Sequence, residues 1–234
     1  MLYFFIALSV AIIAAAILMY QQSRRKPRPI AMRELAAGLD LIYTEKDNSI
    51  LENLKFFKIF DATTLQAAAH NVLRSRTRPP DFWIFDYQAV VGLHNASDRV
   101  EQTVFYFSDP RMKLPGFRLI PTDTDIGKQS DAVFKYRPIV FQSNPQFMAN
   151  YRLISPDEQE IREIFKSDVI AYFEKLKGVC VEGFGNEVFM YQYKTLIHEK
   201  CFSRFYQNAQ SIFQLFLHHS TILNADKTGL SSYS

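Results

Sequence analysis

Three patterns of hydrophobic and polar positions follow one another along this chain. The first is continuous: Leu2 to Tyr20, LYFFIALSVAIIAAAILMY, carries no charged residue. As a helix it would reach roughly 28 Å, close to the bilayer hydrocarbon core of about 30 Å. Tyr3, Phe4 and Tyr20 fall near its ends, where aromatic rings prefer the lipid–water boundary. A cleaved signal peptide wants its positive charges ahead of a short apolar core. Here Arg24, Arg25, Lys26 and Arg28 follow a long one. The pattern therefore predicts a retained single-pass transmembrane helix over 2–20 and a basic, proline-containing juxtamembrane linker over 21–30. The positive-inside rule then sets the orientation, with the N-terminus outside and the domain that follows, 31–223, in the cytoplasm at the inner membrane.

The second pattern has a period near two. After a short helix in MRELAAGLDLIY, with Leu35, Leu39 and Ile42 on one face, the stretch from Phe56 to Phe107 reads as strands. These are FFKIF, NVLRSR, DFWIFDYQAVV and QTVFYFS. In the strand at Asp81 the odd positions Trp83, Phe85, Tyr87, Ala89 and Val91 are all apolar or aromatic. The even positions mix Phe82 and Ile84 with Asp86 and Gln88, which suits an antiparallel sheet. GLHNASDR reads as a polar loop between two of these strands, and FRLI, PIVFQ and YRLI read as further short strands. The polar stretch at 122–137 marks a candidate subdomain boundary.

The third pattern has the helical period. SPDEQEIREIF places Ser155 at a cap, Pro156 at the first helical position and Glu158 three residues after the serine, the arrangement of a capping box. Ile161, Ile164, Phe165, Phe173 and Leu176 supply one stripe as far as Gly178, which predicts one helix. VCVEGFGNEVFMYQY predicts a tight hairpin turning at Gly183 to Asn186. From Leu196 to Leu223, Phe202, Phe205, Tyr206, Ala209, Phe213 and Phe216 share one face of a long amphipathic helix. A tail over 224–234 closes the chain. The predicted fold class is α+β: a transmembrane helix, then an antiparallel-sheet domain with a capped helix, a hairpin and a long C-terminal helix.

Charge changes this picture in one respect. The net charge of +3 comes from 27 Lys and Arg against 24 Asp and Glu, and setting aside Arg24, Arg25, Lys26 and Arg28 leaves 23 against 24. The basicity is local to the junction, so a nucleic-acid surface, which needs a basic excess spread over a face, is not expected. The junction residues are instead expected to orient the chain and to contact anionic headgroups. Arg74, Arg76 and Arg78, alternating in RSRTRPP, form a candidate basic ridge. It would either guard a sheet edge or touch headgroups near a membrane.

Candidate chemistry is sparse. There is no glycine-rich phosphate loop, no nucleophile elbow and no zinc-protease motif. His198 and Cys201 share a helix face but lack the further ligands that zinc needs. Cys180 with His198 would make a nucleophile pair if hairpin and helix pack together, whereas a strand cysteine between valines reads as packing. Asp86, amid aromatics in WIFDY, either has its ionisation disturbed or faces solvent or pairs with an arginine on the next strand. No catalytic residue, metal or cofactor is assigned.

The order of elements, an anchor and basic junction followed by IFDY, LPGFRLIP, NPQFMANYRL, the capped helix and VEGFGNEVFMYQY, resembles uncharacterised single-pass membrane-anchored proteins of bacteria. That resemblance implies no activity and transfers no catalytic residue. The expected function is a membrane-tethered accessory or interaction module without catalysis, with the bilayer and an unidentified membrane protein as partners. The alternatives are a lipid or apolar-ligand binding domain at the inner membrane surface and a membrane-anchored enzyme.

Overall fold

The alternation in DFWIFDYQAVV has room to act because the strand carrying it lies inside a sheet that is buried on both sides. The computed structural model describes residues 27–53, 64–77, 79–93, 96–125 and 137–230. They form helix α1 (Arg28–Gly38), strand β1 (Leu41–Lys46), the short helix α2 (Ser49–Asn53), and strands β2 (Thr64–Ser75), β3 (Asp81–Leu93), β4 (Ala96–Ser108) and β5 (Leu114–Pro121). Then come α3 (Pro145–Asn150), β6 (Tyr151–Ile154), α4 (Glu158–Ile164), α5 (Ser167–Lys175), β7 (Cys180–Gly185), β8 (Glu187–Tyr191) and the 32-residue helix α6 (Glu199–Leu230).

The eight strands make one antiparallel sheet in the order β1-β2-β3-β4-β8-β7-β5-β6. Its register can be followed straight across. Tyr43, Leu73, Ile84, Phe105, Met190, Val181, Leu119 and Leu153 pair in succession, one from each strand. Each of these side chains is apolar, and all but Tyr43 are buried. Such a row needs a cover. The phenylalanine stripe of α6 supplies it, with ring centroids of Phe202 and Phe205 at 5.4 and 4.9 Å from Phe105, and of Phe213 at 4.7 Å from Phe107. Phe216 meets Phe117 edge-on at 5.3 Å. Aromatic pairs at these separations add to plain area burial. Helices α1, α4 and α5 fill the rest of this helix-covered face with Met32, Ile161, Ile164, Val169 and Phe173.

Several expectations are corrected here. The α+β class stands, but it is built on a single large sheet. The spanning helix that was to lead it is not among the elements: no helix of the described residues is long and apolar enough to cross a membrane. The longest, α6, keeps an exposed face of Ser203, Gln207 and Gln210. Residues 2–20, on which that expectation fell, lie outside the described residues, as does FFKIF.

The single helix expected from Ser155 to Gly178 is two, α4 and α5, interrupted at Phe165 and Lys166. Ser155 does not cap it. Its hydroxyl donates to Gly116 O across the sheet, and Asp157 is the cap, accepting from Glu160 N at 2.8 Å. PIVFQ contributes only a bridge from Pro138 to Ile154, and the expected connection NPQFMAN contains α3. The loop expected at GLHNASDR is largely strand, since β3 and β4 pair as far as Leu93 and Ala96. The sequence on either side of the candidate boundary at 122–137 contributes to the same sheet, through β5 and β6.

Two backbone positions hold this register. At Gly185, φ is +59°, the left-handed geometry that turns β7 into β8. Gly183 answers a different need. It pairs with Phe117, and a Cβ there would lie 2.3 Å from the Phe117 ring and 3.0 Å from Leu114. That ring is wedged against Phe165 and Phe216 and has nowhere to retreat. Gly183→Ala is expected to lower stability by about 1–3 kcal/mol, the usual range for overpacking, as read by urea unfolding. An unchanged midpoint would contradict this packing.

Candidate functional site

The sheet's second face is unusual because it is also apolar. Trp83, Phe85, Tyr87, Val104, Tyr106, Cys180, Phe189 and Tyr191 form its buried cluster, and the described element packed on it is α2, through Ile50 and Leu51. Here too one row crosses all eight strands: Ile42, Arg74, Trp83, Tyr106, Phe189, Glu182, Arg118 and Ile154. The helix-covered row is uncharged, whereas this one places charge on both sides of an aromatic centre. At about 4.8 Å between strands, Trp83 and Arg118 stand roughly 19 Å apart.

At one end, Arg74 lies over the Trp83 ring at 4.4 Å, a cation–π contact, and 3.7 Å from Asp81. At the other, buried Glu182 accepts from Tyr191 Oη at 2.7 Å, and its Oε1 stands 3.5 Å from Arg118 Nε. Burial pushes the Tyr191 hydroxyl well above its ordinary value, and Glu182 beside it adds to the shift. The same burial, with Glu182 again adding, pushes the Cys180 thiol up to about 12. A thiol held protonated is no nucleophile. Trp83 Nε1 and Arg118 Nε are buried donors that find no hydrogen-bond partner among the described residues. Each such group costs about 1–3 kcal/mol.

A second polar assembly sits on the helix-covered face. The pairing of His70 with Asp86 and of Leu73 with Ile84 leaves Asn71 and Val72 opposite Phe85, a β-bulge with Asn71 at φ +49°. The bulge brings Asn71 Nδ2 to 3.0 Å from Asp86 Oδ2. Arg28, at the start of α1, donates to both carboxylate oxygens at 2.9 and 2.8 Å, to Thr103 Oγ1 at 2.9 Å and to the carbonyl of Ile197. Thr103 donates to Asp86 at 2.8 Å and accepts from Ile197 N at 3.0 Å. One bidentate ion pair thus ties α1, three strands and the approach to α6 together.

Beyond that cluster, on the same face of β2, β3 and β4, lies an open groove of about 510 Å³. Lys46, Gln66, Gln88 and Arg99 stand around a floor made by Ala68 and Val90 and by the backbone at 67 and 89. The floor is low because Ala68, the residue of β2 opposite Gln88, reaches no further than its Cβ. Arg99 is paired with Glu101 at 2.7 Å.

The expected site residues are scattered among these places. Arg24, Arg25, Lys26 and Arg78 lie outside the described residues. Arg28 has its guanidinium committed to Asp86, so the aspartate expected to face solvent or an adjacent-strand arginine is buried and paired with a helix instead. Arg74 and Arg76 do not form a free ridge: Arg74 stacks on Trp83, and Arg76 pairs with Asp40 at 2.9 Å. Cys180 belongs to the second face, whereas His198 precedes α6 on the other, so the sheet separates the two. Among the described residues no three metal-ligating side chains gather. Sequence reading missed Glu182, Tyr191 and Arg118, although a glutamate in VCVEGF at an inward-facing strand position is itself a signal.

No family model matches the chain, and no curated protein does. Among solved structures, it is similar to the crystal structure of the mycobacterial trehalose monomycolate transport factor A, TtfA. The TM-score is 0.59, covering 82% of this chain and 95% of that one, at 11% identity. The likeness shows the fold.

Two outcomes follow for these residues. Arg28→Ala strands a buried carboxylate and is expected to cost about 3 kcal/mol in urea unfolding; a loss below about 0.5 kcal/mol would contradict the bidentate tie. With a disulfide-exchange reagent at pH 8, one thiol per native chain is expected to react, the exposed Cys201, and a second only after denaturation.

Proposed function

We propose that this protein is an accessory factor in lipid handling at a membrane surface, whose second sheet face receives the apolar chain of an amphiphile. The observation that carries the reading is the aromatic row across that face, with the buried donors Trp83 Nε1 and Arg118 Nε turned into it. A core meant only to be packed has no use for unpaired donors. Small-molecule sites, by contrast, combine apolar walls with a few placed polar groups. Among the described elements, α1, α4, α5 and α6 pack on the other face, and the short α2 packs on this one. The fold shared with a trehalose monomycolate transport factor supports the same direction. Together these favour lipid handling over the protein-partner module that the sequence suggested. The raised Cys180 pKa supports a binding role over nucleophilic catalysis.

Trp83 is the chain's one tryptophan, so its emission reports this face alone. Phospholipid vesicles with brominated acyl chains are expected to quench it, while the same vesicles without bromine leave it unchanged. Equal emission in the two preparations would overturn the reading.

A further inference from the structure

We propose that the groove over β2, β3 and β4 is a second binding site, for a neutral polyhydroxylated ligand: a glycan or a glycosyl head group. It lies on the opposite side of the sheet from the aromatic row and stands independently of the function proposed for that row. Lys46, Gln66, Ala68, Gln88, Val90 and Arg99 all have the parity of Asp86, which places the groove on the helix-covered face, beyond the Arg28 cluster.

The groove's shape follows from side-chain size. Ala68 and Val90, with the backbone at 67 and 89, make a low floor between long side chains, and the volume of about 510 Å³ is within the range of small-molecule sites. Its chemistry selects the ligand. Gln66 and Gln88 each carry donors and an acceptor in one amide, and both lack hydrogen bonds to the described protein groups. Gln88 is two strand positions from Asp86 and pairs with Glu101, so its amide rises beside the Glu101–Arg99 ion pair. Sugar hydroxyls also donate and accept at one atom, and two amides with a carboxylate–guanidinium pair match that duality. A phosphate needs uncompensated positive charge, yet Arg99 is already neutralised, which leaves Lys46 alone. The small side chain at 68 lets a flat sugar ring approach the sheet, which a bulkier residue there would prevent.

The experiment is calorimetric titration of the full 234-residue chain with maltose, dodecyl maltoside below its micellar concentration, and inorganic phosphate. Maltose or its alkyl glycoside is expected to bind, at least tenfold weaker in Gln88→Leu, which removes one amide's hydrogen bonds. Ala68→Phe, which fills the floor, is expected to abolish binding. Both positions are half-buried, and thermal melts confirm that each variant folds. Tighter binding of the glycoside than of maltose that is lost in Ala68→Phe assigns the groove to a head group, since binding through the second face would survive that change, and equal binding assigns it to a free glycan. Either supports the inference. Phosphate binding in place of sugar, no binding by any probe, or unchanged affinity in Gln88→Leu would overturn it. Quenching of Trp83 by brominated lipid is unaffected by Ala68→Phe if the two sites are separate, so failure here leaves the reading of the second face intact.

Discussion

The register of the eight-stranded sheet constrains everything else in this molecule. Side chains alternate between faces with a period of two, so each strand that gives Ile84, Phe105 or Met190 to one side must give a neighbour to the other. The helix-covered face takes the row from Tyr43 to Leu153 and closes it with the phenylalanines of α6. The opposite row is then fixed without further choice: Trp83, Tyr106 and Phe189 in the centre, Arg74 on one side, Glu182 and Arg118 on the other. A slip of one residue would exchange the two rows and bury Glu182 and Arg118 beneath α6. Gly183, which lets the Phe117 ring lie flat against the strand, is among the features that prevent it.

The Arg28–Asp86 pair shows how a buried charge can be structural rather than chemical. Asp86 accepts from Arg28, Asn71 and Thr103, and every one of those bonds joins elements distant in sequence. Buried ion pairs rarely add much net stability over apolar replacements. What this one supplies is placement, because α1 and the segment entering α6 are held against the same carboxylate. The Glu182–Arg118 pair differs. Its geometry is looser, it lies beside aromatic rings, and Arg118 Nε finds no hydrogen-bond acceptor among the described residues. That contrast is why the apolar chain is proposed at the second face and not at the better-bonded cluster.

Much of this was legible in the residues. The odd and even faces of DFWIFDYQAVV, the hairpin at Gly183 to Asn186 and the stripe on the last helix all express local periodicity, and the structure carries each of them. What local pattern does not encode is competition from distant groups. Ser155 reads as a cap until Gly116 O takes its hydroxyl, and Asp86 reads as an exposed carboxylate until α1 delivers Arg28 onto it. The bulge at Asn71 has no periodic signature, since it arises where β2 carries one residue more than β3. The partners of Arg74 and Arg76 are hidden from the sequence for a similar reason: Trp83 and Asp40 are near only once the sheet is built. The groove is written in QAAAH and YQAV, as Ala68 beside the amides of Gln66 and Gln88, but only the pairing of β2 with β3 brings them together.

The central claim is that the second face of the sheet receives an apolar chain. Native mass spectrometry of the full chain, purified from its host in mild detergent, reads that occupancy. An amphiphile is expected at one per chain, released when Phe189→Asp places a charge in the middle of the aromatic row. A chain of bare protein mass, or one whose bound lipid is indifferent to Phe189→Asp in a folded variant, would contradict it.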